Sequence, residues 1–209
     1  LAMCSVVLGV LIRADVALPI AMAATLGVGA VAGAFNGWLV TALNLPSLVV
    51  TLGTMALFRG ISYMILGTDS VNLLPDSLSA FGTDNTMGGA LPWVVVPFLV
   101  LAPMFAVVLQ KMALGRRIYA IGGSPDAALY SGIPVNRLRF GMFVLSGLVC
   151  AVASVVLTAR LSNARANNGV AFELDVITVA RLRGGSVSGG QGEMTGVFLA
   201  LLLVTALRN

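Results

Sequence analysis

Residues 16–43 read VALPIAMAATLGVGAVAGAFNGWLVTAL, an apolar stretch without a single charged residue. In lipid no water satisfies backbone N–H and C=O groups, so such a stretch must be a helix that closes its own hydrogen bonds. A crossing takes roughly 20 mainly apolar residues, so residues 16–43 suffice for one tilted span. Gly27, Gly29, Gly33 and Gly37 lie within it. Small residues at four-residue spacing let membrane helices approach closely, so packing is the first role expected of them.

Working outward, the rest of the chain follows the same rule. Hydrophobic residues make up 58% of the 209 positions and charged residues 10%. A soluble domain carries about 25% charge, so too little polar surface remains to wrap an apolar core in water. The expected fold is all-α, a polytopic transmembrane helix bundle, with residues 1–209 forming a single transmembrane domain. Residues 1–12 are a partial apolar segment, interrupted by Arg13 and Asp15. After a turn at residues 44–47, spans are expected at 48–66, 92–109 and 140–158. A shorter apolar segment covers 172–182, and a glycine-rich break at 184–192 separates it from 194–207. Both ends of the chain fall inside apolar runs, which reads as truncation at both ends. No charged n-region precedes the first run, so no signal peptide is read.

Charge orients these spans. Lys111, Arg116, Arg117, Arg137 and Arg139 share one loop with a single acid, Asp126. The positive-inside rule places residues 111–139 in the cytoplasm. The loop at 67–91 carries Asp69, Asp76 and Asp84 and no Lys or Arg, and it falls outside. The 44–47 turn is then inside, and Arg13 and the 159–171 loop are outside. Arg160 and Arg165 run against the rule there and are outvoted by the larger cluster. The net charge of +4 therefore reads as membrane orientation and not as nucleic-acid binding.

Several chemistries are excluded. The chain has no histidine, which removes Ser-His-Asp and Cys-His catalysis and histidine-ligated metals. No catalytic or metal-binding set is expected. Cys4 and Cys150 fall in separate apolar segments and read as small hydrophobes, not a disulfide. Ser188-Gly-Gly-Gln191 matches part of an ABC ATPase signature, but no GxxxxGK[ST] loop accompanies it. It reads as a break between membrane helices.

Residues 124–134 carry more information. Ser124 suits an N-cap and Pro125 the first helical position. Asp126 complements the positive helix end. Gly132 suits the left-handed position after a helix, and Pro134 follows. The spacing predicts a short helix over Pro125–Ser131, isolated between two spans. A helix this short needs a docking surface, either the protein's own cytoplasmic face or a partner.

The stretch Gly115-Arg-Arg-Ile-Tyr-Ala-Ile-Gly-Gly-Ser-Pro-Asp-Ala-Ala-Leu-Tyr-Ser-Gly-Ile-Pro-Val-Asn136 resembles the cytoplasmic loop of bacterial sugar ABC permeases of the ribose, rhamnose and autoinducer-2 group. Residues 45–60, LPSLVVTLGTMALFRG, are similar to their TLGT…RG helix. Phe172-Glu-Leu-Asp-Val-Ile177, followed by residues 184–192, is similar to their YELDAI…GGxSxxGGxG region. The likeness runs through nearly the whole chain in order. Two departures stand out. Arg181 and Arg183 replace a stretch that the family keeps apolar, and each costs about 2.5–3.5 kcal/mol on insertion scales. The family's early GGIDLSVG-like segment and its last spans are missing.

The resemblance implies a permease subunit of an ATP-driven importer, not an enzyme, in the bacterial cytoplasmic membrane. Its substrate would be a small sugar-like solute moved by alternating access. The implied partners are a second permease subunit (homo- or heterodimer), a cytoplasmic ABC ATPase carrying ATP and Mg, an external solute-binding protein and the lipid bilayer. No cofactor is implied on this chain. Gly115, Arg116, Ser124, Pro125, Asp126, Ala127, Ala128, Ser131 and Gly132 would form the ATPase-coupling element. Asn36, Thr51, Thr54, Asn167, Asn168, Glu173 and Asp175 are polar groups that could face a translocation path, each also able to serve as a helix contact or cap. Arg59 is expected to snorkel or pair internally. A secondary transporter or channel subunit is the alternative. It would use mid-span acids for ion coupling, and the clearly mid-span positions hold none.

The orientation has a direct test. In a background without Cys4 and Cys150, cysteine at Ser77 should react with an impermeant thiol reagent in intact cells, and cysteine at Ser124 should not. The reverse pattern would invert the topology.

Overall fold

The computed structural model describes residues 1–67, 69–71, 75–83, 85–86, 91–170, 176 and 178. The expected apolar segments at 172–182 and 194–207, the glycine-rich break, and Glu173, Asp175, Arg181 and Arg183 lie outside them. Among the described residues the chain is helical, with helices α1 Ala2–Arg13, α2 Leu18–Ala42 and α3 Ser47–Leu66 in its first third. A two-residue strand β1, Ser70–Val71, a short helix α4, Asp76–Thr83, and strands β2, Asn85–Thr86, and β3, Leu91–Pro92, follow. A 3-10 turn at Trp93–Val95 leads into α5, Val96–Lys111. Helices α6 Ala113–Gly123, α7 Pro125–Tyr130 and α8 Val135–Leu161 come next, with strand β4 at Ala164–Arg165. Among the described residues four stretches are long and apolar enough to cross a membrane: Leu18–Ala42, Ser47–Leu66, Trp93–Lys111 and Val135–Leu161. They coincide with the four full spans expected from the sequence.

Three differences have physical reasons. Helix α8 starts at Val135, ahead of the expected Phe140. Asn136, Arg137 and Arg139 are polar but tolerated in helix, so they extend it beyond the apolar part. The loops at 67–91 and 159–171 contain paired strands, because turn-rich segments held side by side close backbone hydrogen bonds between them. Helix α6 occupies part of the expected cytoplasmic loop. Its three glycines and two adjacent arginines hid a helical repeat of Leu114, Ile118 and Ile121.

The chain divides into two compact units. One comprises Leu1–Leu99 with Arg139–Asn168; the other contains Val100–Leu138. In the first, α2 meets α8 through glycine. A Cβ on Gly29 would lie 2.6 Å from the Ala151 Cβ and 2.6 Å from the Gly147 carbonyl oxygen. One on Gly33 would run into the Phe143 carbonyl, and one on Gly37 would come within 3.0 Å of the Phe140 ring. As the position rises along α2 its partner falls along α8, so the two helices are antiparallel. Gly147 completes the contact, since a Cβ there would strike the Gly29 carbonyl. Gly27, exposed and with nothing within 4 Å, takes no part.

The ends of this unit sort as the charges predict. Antiparallel packing puts the turn after α2 on the same side as Arg139. On the other side β1 pairs with β4, Ser70 opposite Arg165 and Val71 opposite Ala164. The two loops assigned to the outside are therefore hydrogen-bonded to each other. Helix α1 joins them, since a Cβ on Gly9 would lie 2.5 Å from the Ala164 Cβ. Val6, Leu66, Val71, Ala164 and Ala166 form one buried cluster there. Leu8, Ile12, Ala21, Leu78, Val155 and Ala159 form another.

Gly33→Val should cost about 1–3 kcal/mol or prevent assembly, because backbone on α8 occupies the space. Gly27→Val should be tolerated. Thermal unfolding of the detergent-purified protein, followed by loss of monodispersity, separates the two; equal stability would refute the glycine contact.

Candidate functional site: the capped short helix and the polar groups of the spans

Helix α7 is built as its sequence specifies. The Ser124 hydroxyl accepts a hydrogen bond from the Ala127 N–H at 3.3 Å, Pro125 occupies the first turn, and Asp126 lies beside the positive helix end. The helix closes at Tyr130 with Ser131 as its C-cap, one residue earlier than expected. Gly132 has φ +78°. Its N–H donates to the Leu129 carbonyl at 3.0 Å, and the Ile133 N–H donates to the Ala128 carbonyl at 3.1 Å. These two bonds are the Schellman pattern, and the left-handed residue they need is glycine. The Ser131 hydroxyl adds a bond to the Ala127 carbonyl at 2.8 Å.

The faces of α7 divide the docking question. Ala128 is 3% exposed, so that face is already covered by the protein itself, where α7 packs on α6. Leu129 is 60% exposed and Tyr130 is 91% exposed. The short helix thus has an internal support and an uncovered aliphatic and aromatic edge. Gly115 is on α6 and not on the docking helix. It is buried, and a Cβ there would meet the Leu109 carbonyl, so it sets the corner between α5 and α6. Arg116 is exposed on α6.

The polar residues of the first unit do not gather in one place. Thr51 and Thr54 spend their hydroxyls within α3. Thr51 donates to the Ser47 carbonyl at 2.9 Å and Thr54 to the Val50 carbonyl at 2.9 Å. Both lie on the part of α3 nearest the 43–46 turn. Asn167 and Asn168 follow β4 at the opposite end. Asn167 is exposed, and Asn168 is buried and structural. Its amide donates to the Ser5 hydroxyl at 3.2 Å and to the Asn163 carbonyl at 3.1 Å. Asn36 differs: its Oδ1 is buried and has no hydrogen-bond partner among the described residues. Arg59 is half-buried and partnered within the protein. Cys4 is buried, Cys150 exposed, and both are free thiols.

A buried polar ladder between α1 and α8 was not anticipated. Ser5 and Thr158 hydroxyls are 2.8 Å apart, and Ser154 donates to the Leu1 carbonyl at 3.0 Å. With Asn168 above Ser5, the ladder ties the 162–168 loop to α1. Its signal in the sequence was the four-residue spacing of Ser154 and Thr158, which puts both hydroxyls on one helix face. Their partners on α1 had no such mark. Asn168→Ala should remove two bonds and leave the Ser5 hydroxyl with one partner fewer, a loss of about 1–2 kcal/mol. Asn167→Ala should be neutral. Paired chemical denaturation of the two variants checks this, and equal stabilities would contradict it.

The family described as branched-chain amino acid transport system / permease component has a model that matches residues 1–209. Among similar proteins are the autoinducer 2 import system permease protein LsrD of Escherichia coli strain K12 and its counterparts in Shigella flexneri and Escherichia coli O157:H7. Each is 34% identical over 213 aligned positions, which cover 99% of this chain and 64% of the relative. The chain thus spans about 64% of the length of these curated relatives. No solved structure is similar enough to count as a match. Four membrane-capable helices and a match along the entire sequence lead to one assignment: the chain is a multi-pass membrane protein and belongs to the branched-chain amino acid transport system / permease component family.

Proposed function

We propose that this chain is the membrane-spanning permease part of an ATP-driven importer in the bacterial cytoplasmic membrane, and that it passes a small sugar or sugar-like solute by alternating access. The observation that carries this reading is α7. A capped helix of six residues on the basic side of a membrane protein, with Leu129 and Tyr130 uncovered, suits transmission of force from a soluble partner. Aromatic side chains of this kind anchor protein interfaces. The partner in this reading is a cytoplasmic ABC ATPase that holds ATP and Mg. A second permease subunit, identical or different, would complete the path, and an external solute-binding protein would deliver the solute. The autoinducer 2 import named for the relatives supports a sugar-like solute.

The coupling residues then have separate roles. Ser124, Pro125, Asp126, Ser131 and Gly132 hold α7 in shape, Ala127 lies on its exposed side, and Ala128 seats it. Gly115 fixes the corner from which it hangs. Leu129 and Tyr130 are the contact. Along the path, Asn36 is the described polar residue with an acceptor to spare. Glu173 and Asp175 stay candidates on sequence grounds.

Tyr130→Glu and Leu129→Asp change exposed positions, so membrane insertion should survive. Each should weaken ATPase association about five- to thirtyfold, the range of an interface anchor, measured by co-purification at graded partner concentrations. Uptake should fall in parallel. Full association and uptake in both variants would remove the coupling role. Uptake that persists without any ATPase would favour a secondary transporter.

A further inference from the structure

Helix α6 leaves the membrane span at once. Helix α5 ends at Lys111 and α6 begins at Ala113, with Met112 alone between them. The close approach of Gly115 to the Leu109 carbonyl folds α6 against the end of the span. One face of α6 carries Leu114, Ile118 and Ile121 at positions i, i+4 and i+7. Met112 and Leu114 are each 47% exposed. Lys111, Arg116 and Arg117 are all exposed as well. No Asp or Glu occurs from residue 85 through 125; the acid that follows, Asp126, sits in the first turn of α7 and is outnumbered by these three cations.

We propose that α6 lies in the cytoplasmic headgroup layer and binds anionic phospholipid through Lys111, Arg116 and Arg117, with Leu114 and Met112 entering the acyl boundary. Exposed aliphatic residues beside basic ones on a surface helix, as with Leu114 and Arg117 at i and i+3, bind in this way, by apolar burial and attraction to anionic lipid together. The uncovered Met112 and Leu114 beside the cations favour a lipid over a soluble acidic partner, because they need hydrocarbon at that depth. The consequence reaches α7. Only Ser124 separates the two helices, and they pack on each other. Lipid held on α6 therefore sets the depth at which Leu129 and Tyr130 are presented. This inference rests on the membrane assignment and not on the identity of the solute.

The test uses the intact complex in phosphatidylcholine vesicles with and without phosphatidylglycerol, with retained phosphatidylglycerol read by native mass spectrometry after gentle release. R116Q and R117Q should each lower phosphatidylglycerol affinity about fivefold, the weight of one basic residue near an anionic surface. R116K/R117K should retain it, since a headgroup answers to charge. In the wild-type complex, retention should fall as ionic strength rises. Unchanged retention in R116Q/R117Q, or retention insensitive to salt, would overturn the proposal. Loss of ATPase association with retention intact would assign the arginines to the ATPase and would overturn it as well. Failure of the Leu129 and Tyr130 contact leaves this lipid measurement untouched, so the two ideas fail separately.

Discussion

Apolar side chains gain little by leaving lipid for one another, so a membrane bundle must find its cohesion elsewhere. Here it comes from how closely α2 and α8 approach. Gly29, Gly33 and Gly37 face Gly147, Ala151 and the backbone of α8 at distances that a Cβ would obstruct. Dispersion between two backbones replaces the hydrophobic effect that organises a soluble core. The antiparallel register set by this contact decides which loops share a side of the membrane. The paired strands β1 and β4, and the seat of α1 against them, depend on that choice.

The ladder of Ser5, Thr158, Asn168 and Ser154 completes the same unit by different physics. A hydroxyl or amide without a partner is costly in a dry interior, and the side chains of Ser5, Ser154, Thr158 and Asn168 are each matched here. Helix α1, Ala2–Arg13, belongs to the same unit. Its bonds to α8 and to the 162–168 loop hold it in place. The Oδ1 atoms of Asn36 and Asn163, buried and without a partner among the described residues, are hydrogen-bonding capacity the fold does not use.

Much of this was legible in the sequence, because lipid imposes few rules and each leaves a mark. Spans 48–66 and 92–109 could be placed from apolar length, and the Ser124 to Gly132 capping pattern specified α7 nearly to the residue. Charge alone predicted that loops 67–91 and 159–171 share a side, and the strand pair agrees. Other features were hidden for physical reasons. Helix α6 carries three glycines that lower its intrinsic propensity, so tertiary contact at Gly115 decides its form. Ala128 and Tyr130 look equally available along the chain, and only the packing of α7 on α6 turns one inward and the other out. Thr51, Thr54 and Asn168 are polar residues in apolar surroundings, a pattern that marks a solute path and a structural bond alike. Hydrogen-bond partners tell the two apart, and those lie far off in sequence or in the helix's own backbone.

In the proposed function, energy reaches this membrane bundle from ATP hydrolysed on a partner and moves a solute inward. The most direct measurement is uptake of a sugar-like solute by proteoliposomes that contain the complete complex, with the ATPase side accessible and ATP supplied or withheld. Uptake should require hydrolysable ATP and be indifferent to a collapsed ion gradient. Uptake that proceeds without ATP and stops when the gradient collapses would contradict it.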